Sequence, residues 1–268
     1  MNRIIVTPAG RRRYLEILHK NLEKCRDEFD KWIIWVNTTD LEDITFIENL
    51  HKNYSYIELS FSEIPVDPNG SHTATICHFF KKCTDKNSVY LRLDDDIVYI
   101  HKNSIKDLFD FRINNKEPFL VFGNILNNAI ITNLYQRFNV LNHLPQVSYN
   151  CEDELGWRSA SFSYSLHNYF FDKKIKNQLT DFFIQNWELK NFERCSINSI
   201  SWLGETFSLF NGIVGLHEEI WLSTDKPKEL SAPNIIFGNS LFVHYAFAPQ
   251  RQFLESTDIL EKYKNITL

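Results

Sequence analysis

Three consecutive carboxylates, Asp94-Asp95-Asp96, close the apolar run Val89-Tyr90-Leu91-Arg92-Leu93 and lead into a second one, Ile97-Val98-Tyr99-Ile100. Neighbouring like charges disfavour one another's ionisation, so acids embedded between buried segments need a compensating cation. A hard divalent ion supplies it. Mg²⁺ and Mn²⁺ prefer oxygen ligands, and one or two protein carboxylates suffice when substrate phosphates and water complete the shell. Side chains alternate along an extended segment, which would turn Asp94 and Asp96 to one cleft and Asp95 elsewhere. The other reading of three acids is a solvated turn that caps the next helix; the flanking apolar runs favour the clamp.

Further groups with chemical potential lie towards the end of the chain. Gly212-Ile213-Val214-Gly215-Leu216-His217-Glu218-Glu219-Ile220-Trp221-Leu222 sets two glycines before an acid pair and an apolar, helix-like start. Glycine lets backbone approach a ligand closely; the plainer reading of the acid pair is a complement to a helix N-terminus. His244 stands inside Phe242-Val243-His244-Tyr245-Ala246-Phe247, where a hydrogen-bonded core histidine is the default. Arg251 follows, and a guanidinium forks onto phosphate oxygens. Cys151-Glu152-Asp153-Glu154 reads as a loop or the lip of a cleft, and the segment 163–171, with His167, Tyr169 and Phe170, as a core helix face.

Hydrophobic patterning supplies the elements that would position these groups. Ile4-Ile5-Val6, Trp32-Ile33-Ile34-Trp35-Val36, Tyr56-Ile57-Glu58-Leu59 and the run ending at Leu93 are strand-like. Helical patterns separate them: Tyr14, Leu15, Leu18 and Leu22, then residues 41–51, then 73–83 after a polar loop at 62–71. Such alternation implies an α/β chain with a mainly parallel, Rossmann-like sheet flanked by helices, whose ligands sit at the strand carboxyl ends. Thr7, Asn37 and Asp94 fall at such ends. Beyond about residue 110 the alternation loosens: 119–124 is strand-like, 170–189 helical, 235–238 and 240–244 two short strands, and 259–263 a closing helix. One domain over residues 1–268 is expected, divided into a nucleotide-binding half (about 1–110) and a less regular rear half (about 111–268).

Composition narrows the function classes. Among 268 residues, 43% are hydrophobic, enough for a sizeable core. The 22 Phe, 11 Tyr and 6 Trp exceed a minimal core and leave rings to line a cleft. A net charge of −5 with both signs interspersed gives no footprint for nucleic acid. Arg11-Arg12-Arg13 is too short for a polybasic membrane tether and suits an anionic ligand or a solvated helix start. No stretch approaches the roughly 18 apolar residues of a membrane span, and the start MNRIIVTPAG lacks a signal-like run. Five scattered cysteines without a CxxC pair fit reduced thiols and a cytoplasmic setting. The sequons at Asn37, Asn53, Asn69 and Asn265 then read as chance.

Residues 89–100, VYLRLDDDIVYI, resemble the DxD region of GT-A glycosyltransferases, in which an apolar strand delivers metal-binding acids. The resemblance implies a GT-A fold and a divalent cofactor, Mn²⁺ or Mg²⁺. It implies donor binding by Thr7, Pro8, Arg11, Asn37, Asp40, Asp94, Asp95 and Arg251, with a UDP- or GDP-sugar as donor. Metal binding falls to Asp96 and Asp94, with His244 as a third ligand late in the chain. The rear half then binds a carbohydrate or other hydroxyl acceptor. His217-Glu218-Glu219 takes the place of the acidic motif whose last carboxylate deprotonates the acceptor, where the family more often has Asp; Glu219 is the first choice of base and Glu218 the second. The expected activity is glycosyl transfer, with inversion. Two alternatives stay open: a sugar-phosphate nucleotidyltransferase, which shares sheet order and acids, and an inert nucleotide-sugar-binding protein.

Overall fold

The computed structural model describes residues 1–66 and 73–266, with only the backbone of Thr73 and Ala74. Residues 67–71 of the expected loop at 62–71, including the sequon at Asn69, lie outside the described residues. Among the described residues nine strands join in one sheet: β1 (Asn2–Ala9), β2 (Lys31–Val36), β3 (Ile57–Phe61), β4 (Ser88–Leu93), β5 (Ile97–Ile100), β6 (Val121–Leu126), β7 (Trp187–Glu188), β8 (Ser199–Leu203) and β9 (Ile235–His244). Their order is β3-β2-β1-β4-β8-β6-β9-β5, with β7 beside β9.

Strand direction decides where the chemistry collects. β1 runs parallel to β2 and β4, and β2 to β3. β8 is antiparallel to both β4 and β6, so β6 points the same way as β4, and β9 is parallel to β6. β5 and β7 oppose β9. Six of the nine strands therefore share one direction, and their carboxyl ends meet the starts of β5 and β8 along one sheet edge. β1 leads to β2 on one side while β4 lies on its other side, which makes a topological switch point between β1 and β4, the usual place for a ligand crevice.

The strands form for the expected reason: central parallel strands are covered on both faces. All six residues of β4 are buried, Arg92 included. The helices are α1 (Arg12–Lys24), α2 (Leu41–Asn53), α3 (Thr73–Phe79), α4 (Ser104–Asn114), α5 (Ala129–Arg137), α6 (Ala160–Ile175), α7 (Gly204–Ser208), α8 (Glu218–Ile220), α9 (Lys226–Leu230), α10 (Ala248–Glu255) and α11 (Ile259–Ile266). α1 buries Tyr14, Leu15, Ile17, Leu18, Asn21 and Leu22. Asn21 locks it to β5 by donating to the Val98 carbonyl (3.2 Å) and accepting from Ile100 N–H (3.2 Å).

Several elements depart from the sequence reading, among them α6, β9 and β8. The helix expected at 170–189 is α6, which begins ten residues earlier and stops at Ile175; Asn177 then takes a left-handed conformation (φ 54°) that ends the run. The two late strands are one strand, β9, with an irregular register between its pairs with Gly123 and Ile125. β8 was not anticipated at all, because SISWL is short and follows no helix.

Candidate active site

The sheet edge brings most of the chemically capable residues together. Gly10, after β1, sits so close to β2 that an added Cβ would lie 3.0 Å from the Asn37 carbonyl oxygen. Its N–H donates to Asp95 Oδ2 (3.2 Å), and Arg11 forks onto the same carboxylate. Arg11 also reaches Asp96 Oδ2 at 2.9 Å. These bonds span the switch point between β1 and β4. They frame a cavity of about 410 Å³, whose lining includes Pro8, Arg11, Asn37, Asp94, Asp95 and Arg251.

Alternation does not govern the three acids, because residues 94–96 turn rather than extend: Ile97 N–H donates to the Asp94 carbonyl (3.2 Å). Asp94 is half-buried, gripped by Arg92 Nη2 (2.9 Å) and Asn198 Nδ2 (3.1 Å). Asp95 is buried against Arg11. Asp96 is buried among Arg11, Arg251 (3.9 Å) and His244. Burial alone would push the Asp96 carboxyl up, but Arg11, His244 and Arg251 outweigh it and hold it well below the usual carboxylate range.

His244 is delivered by the end of β9, which pairs with the start of β5. Its Nδ1 lies 3.2 Å from the Asn127 carbonyl, to which it donates. Asn127 takes a left-handed conformation (φ 62°) beyond β6, and its amide donates to the Tyr245 carbonyl and Gln250 Oε1. That leaves His244 Nε2 facing Asp96 Oδ1 at 3.5 Å, and among the described residues this oxygen accepts no hydrogen bond. A lone pair opposite a carboxylate oxygen is repulsive, so a cation, whether proton or metal, belongs between them. Among the described residues no group of three or more His, Cys, Asp and Glu is disposed to hold a metal. Asp96 and His244 are a pair, and Asp94 is turned to Arg92 and Asn198.

A second cavity of about 330 Å³ adjoins the first, and Arg92 and Asp94 line both. Its wall includes Trp157, Arg194, Asn198, Glu218, Glu219 and Phe247. Glu219 is partly exposed and accepts from Arg194 Nε (2.7 Å), which also pairs with Glu152 (2.8 Å). Glu152 of the expected lip thus stands at this mouth. Glu218 is buried against Arg92, with contacts of 3.1 and 3.3 Å, and burial pushes its carboxyl up despite that partner.

Two expected donor residues lie away from the cavities. Thr7 is fully buried and accepts from Trp32 Nε1 (3.0 Å), and Asp40 caps α2 by accepting from Glu42 and Asp43 N–H. Gly212 and Gly215 serve packing within the chain: added Cβ atoms would lie 2.5 Å from the Phe80 carbonyl oxygen and 2.6 Å from the Trp221 ring. His167 is a core residue between Tyr263 and the Tyr245 carbonyl. Arg92, Arg194, Asn198 and Trp157 were given no role from sequence. Arg92 alone left a signal there, as a charge inside an otherwise apolar strand.

No protein-family model and no curated protein matches this sequence. Solved structures match its fold. A mycobacterial protein aligns at 12% identity over 98% of this chain and 72% of its own, with a TM-score of 0.52. Glucosyl-3-phosphoglycerate synthase from Mycobacterium tuberculosis, in complex with phosphoglyceric acid, aligns at 12% identity over 100% of this chain and 79% of its own, with a TM-score of 0.50. CMP:2-keto-3-deoxy-manno-octonic acid synthetase, complexed with CTP, aligns at 8% identity over 98% and 100%, also with a TM-score of 0.50. The chain shares the mostly parallel, helix-flanked, GT-A-like α/β fold of these structures. Among the described residues no helix is long and apolar enough to cross a membrane.

Proposed function

We propose that the chain transfers a glycosyl group from a UDP- or GDP-sugar to a hydroxyl acceptor, with inversion, in a reaction that depends on a divalent ion. The observation that carries this reading is the shared wall: Arg92 and Asp94 line both a cavity that includes Arg11 and Arg251 and one whose wall carries Glu218 and the partly exposed Glu219. The first suits an anionic donor, because Arg251 can fork onto phosphate oxygens. The second suits a neutral nucleophile, because Glu219 lies at its wall and can accept a proton. The front of the chain then holds the nucleotide and the rear the acceptor. Two of the similar folds are consistent with this: one is complexed with CTP and the other, a glucosyl-3-phosphoglycerate synthase, with phosphoglyceric acid.

Asp96 and His244 fit a hard divalent ion, Mn²⁺ or Mg²⁺, since an unbonded buried carboxylate oxygen faces a ring nitrogen whose partner nitrogen is fixed by Asn127. Donor phosphates and water would complete the shell. When bound, the ion supplies positive charge to the departing diphosphate. The chain's own residues do the rest. Asp94, held by Arg92 and Asn198, is placed to accept a hydrogen bond from the donor's sugar or ribose. Arg194 holds Glu219 for attack on the acceptor proton, help worth roughly 10²–10⁴-fold.

The test is a thermal-shift panel of nucleoside diphosphate sugars with and without Mn²⁺, followed by turnover with the donor that binds. A donor at 100 times its Kd stabilises the fold by about 2.7 kcal/mol. Pyrophosphate release from a nucleoside triphosphate and a sugar phosphate, with no response to any sugar nucleotide, would assign the chain to nucleotidyl transfer instead. Metal-dependent donor binding without turnover across acceptors would make it a binding protein.

A further inference from the structure

Arg92 is buried at the centre of the sheet, with its guanidinium satisfied on one side by Asp94, two residues on, and on the other by Glu218 from the rear of the chain. Nε lies 3.0 Å and Nη2 2.9 Å from Asp94 Oδ1. Nη1 lies 3.1 Å from Glu218 Oε2 and Nη2 3.3 Å from Glu218 Oε1. Its side chain and that of Glu218 are only 5% and 8% exposed. Burying such a pair costs several kcal/mol per ion, and apolar residues of similar volume often serve stability as well or better. Stability is therefore a poor reason for this bridge to exist.

Its geometry supplies a better one. Glu218 opens α8, which is a single turn, followed by the π-helical turn Trp221–Asp225. That turn runs without a break into α9, so Glu218 heads a continuous helical run over residues 218–230. The approach to it is loosely covered: Ile213 is 57% and Leu216 69% exposed. The Glu218 carboxylate ties the head of this run to Arg92 of β4, in addition to the buried Leu222 and Ser223 and the Arg194–Glu219 pair, and its neighbour Glu219 faces the second cavity.

We infer that Arg92 and Glu218 are positioning residues that fix Glu219 relative to Asp94, so that acceptor activation is registered to the donor cavity. Glu218 is then the anchor and Glu219 the base, and the acid pair divides into two tasks. This deepens the transferase reading and rests on it for what Glu219 does; the tether itself is a statement about the folded chain.

Three variants of the full chain, Arg92→Met, Glu218→Gln and the double Arg92→Met/Glu218→Met, test it by hydrogen exchange, donor binding and turnover. Glu218→Gln is expected to raise amide exchange in residues 216–225 at least tenfold while β5 keeps its protection. Donor affinity should stay within about threefold, and transfer to acceptor should fall about tenfold or more relative to hydrolysis of the donor by water. The double variant, with its pair replaced by apolar groups, is expected to keep the wild-type melting temperature and still transfer poorly. Unchanged exchange at 216–225 in both single variants overturns the tether whatever the chain catalyses. Wild-type transfer by the double variant, or loss of donor binding in step with transfer in Glu218→Gln, overturns the positioning role. A wild-type chain that binds no sugar nucleotide defeats the transferase reading separately, and the exchange result still decides the tether.

Discussion

The two sides of the sheet edge are built by different rules. On the parallel side, β1, β2 and β4 end together, and each contributes the residues just beyond its carboxyl end: Gly10 and Arg11, Asn37, and the three acids. On the antiparallel side the second cavity is served by a strand that begins there. β8 pairs with β4 so that Leu93 faces Ser199 and Asp94 N–H donates to the Asn198 carbonyl (3.0 Å), which brings residues 194–198 to the acids. The first side is rich in guanidinium and the second holds Glu218 and Glu219. Parallel topology fixes a site in advance; antiparallel register recruits a second one against it.

If the two sides do separate tasks, they break differently. Glu219→Gln removes the proton acceptor and nothing from the donor cavity, so the expected result is a loss of transfer of roughly 10²–10⁴-fold. Donor affinity, read by calorimetry, should stay as it was. An equal loss of donor affinity would erase the distinction between the cavities. Asp96→Asn acts on the other side: it keeps the shape but removes the charge facing His244 and Arg11. Transfer and donor hydrolysis should fall together, by roughly 10²–10³-fold, and the Mn²⁺-induced thermal shift should vanish. Retained Mn²⁺ binding would dissociate Asp96 from the metal.

The same contrast explains what could be read from the sequence. Apolar runs of β2 and β4 with polar ends sufficed to bring Asn37 and Asp94 to the first cavity, because strand carboxyl ends in a parallel sheet coincide without long-range information, whereas Arg11 was named as a donor residue only through the family resemblance. Asn198 and Arg194 reach the site only through the register of β8, a five-residue strand with no local signature. Thr7 was misplaced by one structural step: it belongs to β1 itself, where Trp32 holds it, and the cavity begins at Pro8. Period-two alternation failed at 94–96 because the chain turns there. His244 was legible as a buried histidine, but its relation to Asp96 depends on the pairing of β9 with β5.

A third prediction concerns how the rear side is held. The neutral ring of His167 in α6 donates from Nε2 to the Tyr245 carbonyl, next to His244, and accepts at Nδ1 from the Tyr263 hydroxyl. Burial lowers its pKa from 6.5 to about 4, against the opposing effect of the Tyr245 carbonyl. The unfolded chain binds the extra proton between those values, so stability is lost as pH falls from about 6.5 towards 4. The loss is on the order of 3 kcal/mol, or about a hundredfold in the folding equilibrium. Urea denaturation at pH 7 and 4.5 measures it, and His167→Gln should flatten the slope. A slope unchanged in that variant would place the acid sensitivity elsewhere.

The smallest effect is expected at Arg251, and it probes what the donor side asks of its cations. Arg251 Nη2 lies 3.9 Å from Asp96, beyond a hydrogen bond, and among the described residues its buried Nε has no partner. Arg11, by contrast, is committed to two carboxylates. Arg251 is therefore the guanidinium with donors to spare for a phosphate, and its value lies in the fork rather than the charge alone. Arg251→Lys keeps the charge and loses the fork, so donor affinity should weaken about tenfold, the worth of roughly one charge-assisted hydrogen bond, with little change in turnover at saturating donor. A drop in turnover at unchanged affinity would move Arg251 from holding the donor to stabilising its departure, and the donor side would then share the chemistry that this comparison gives to Glu219.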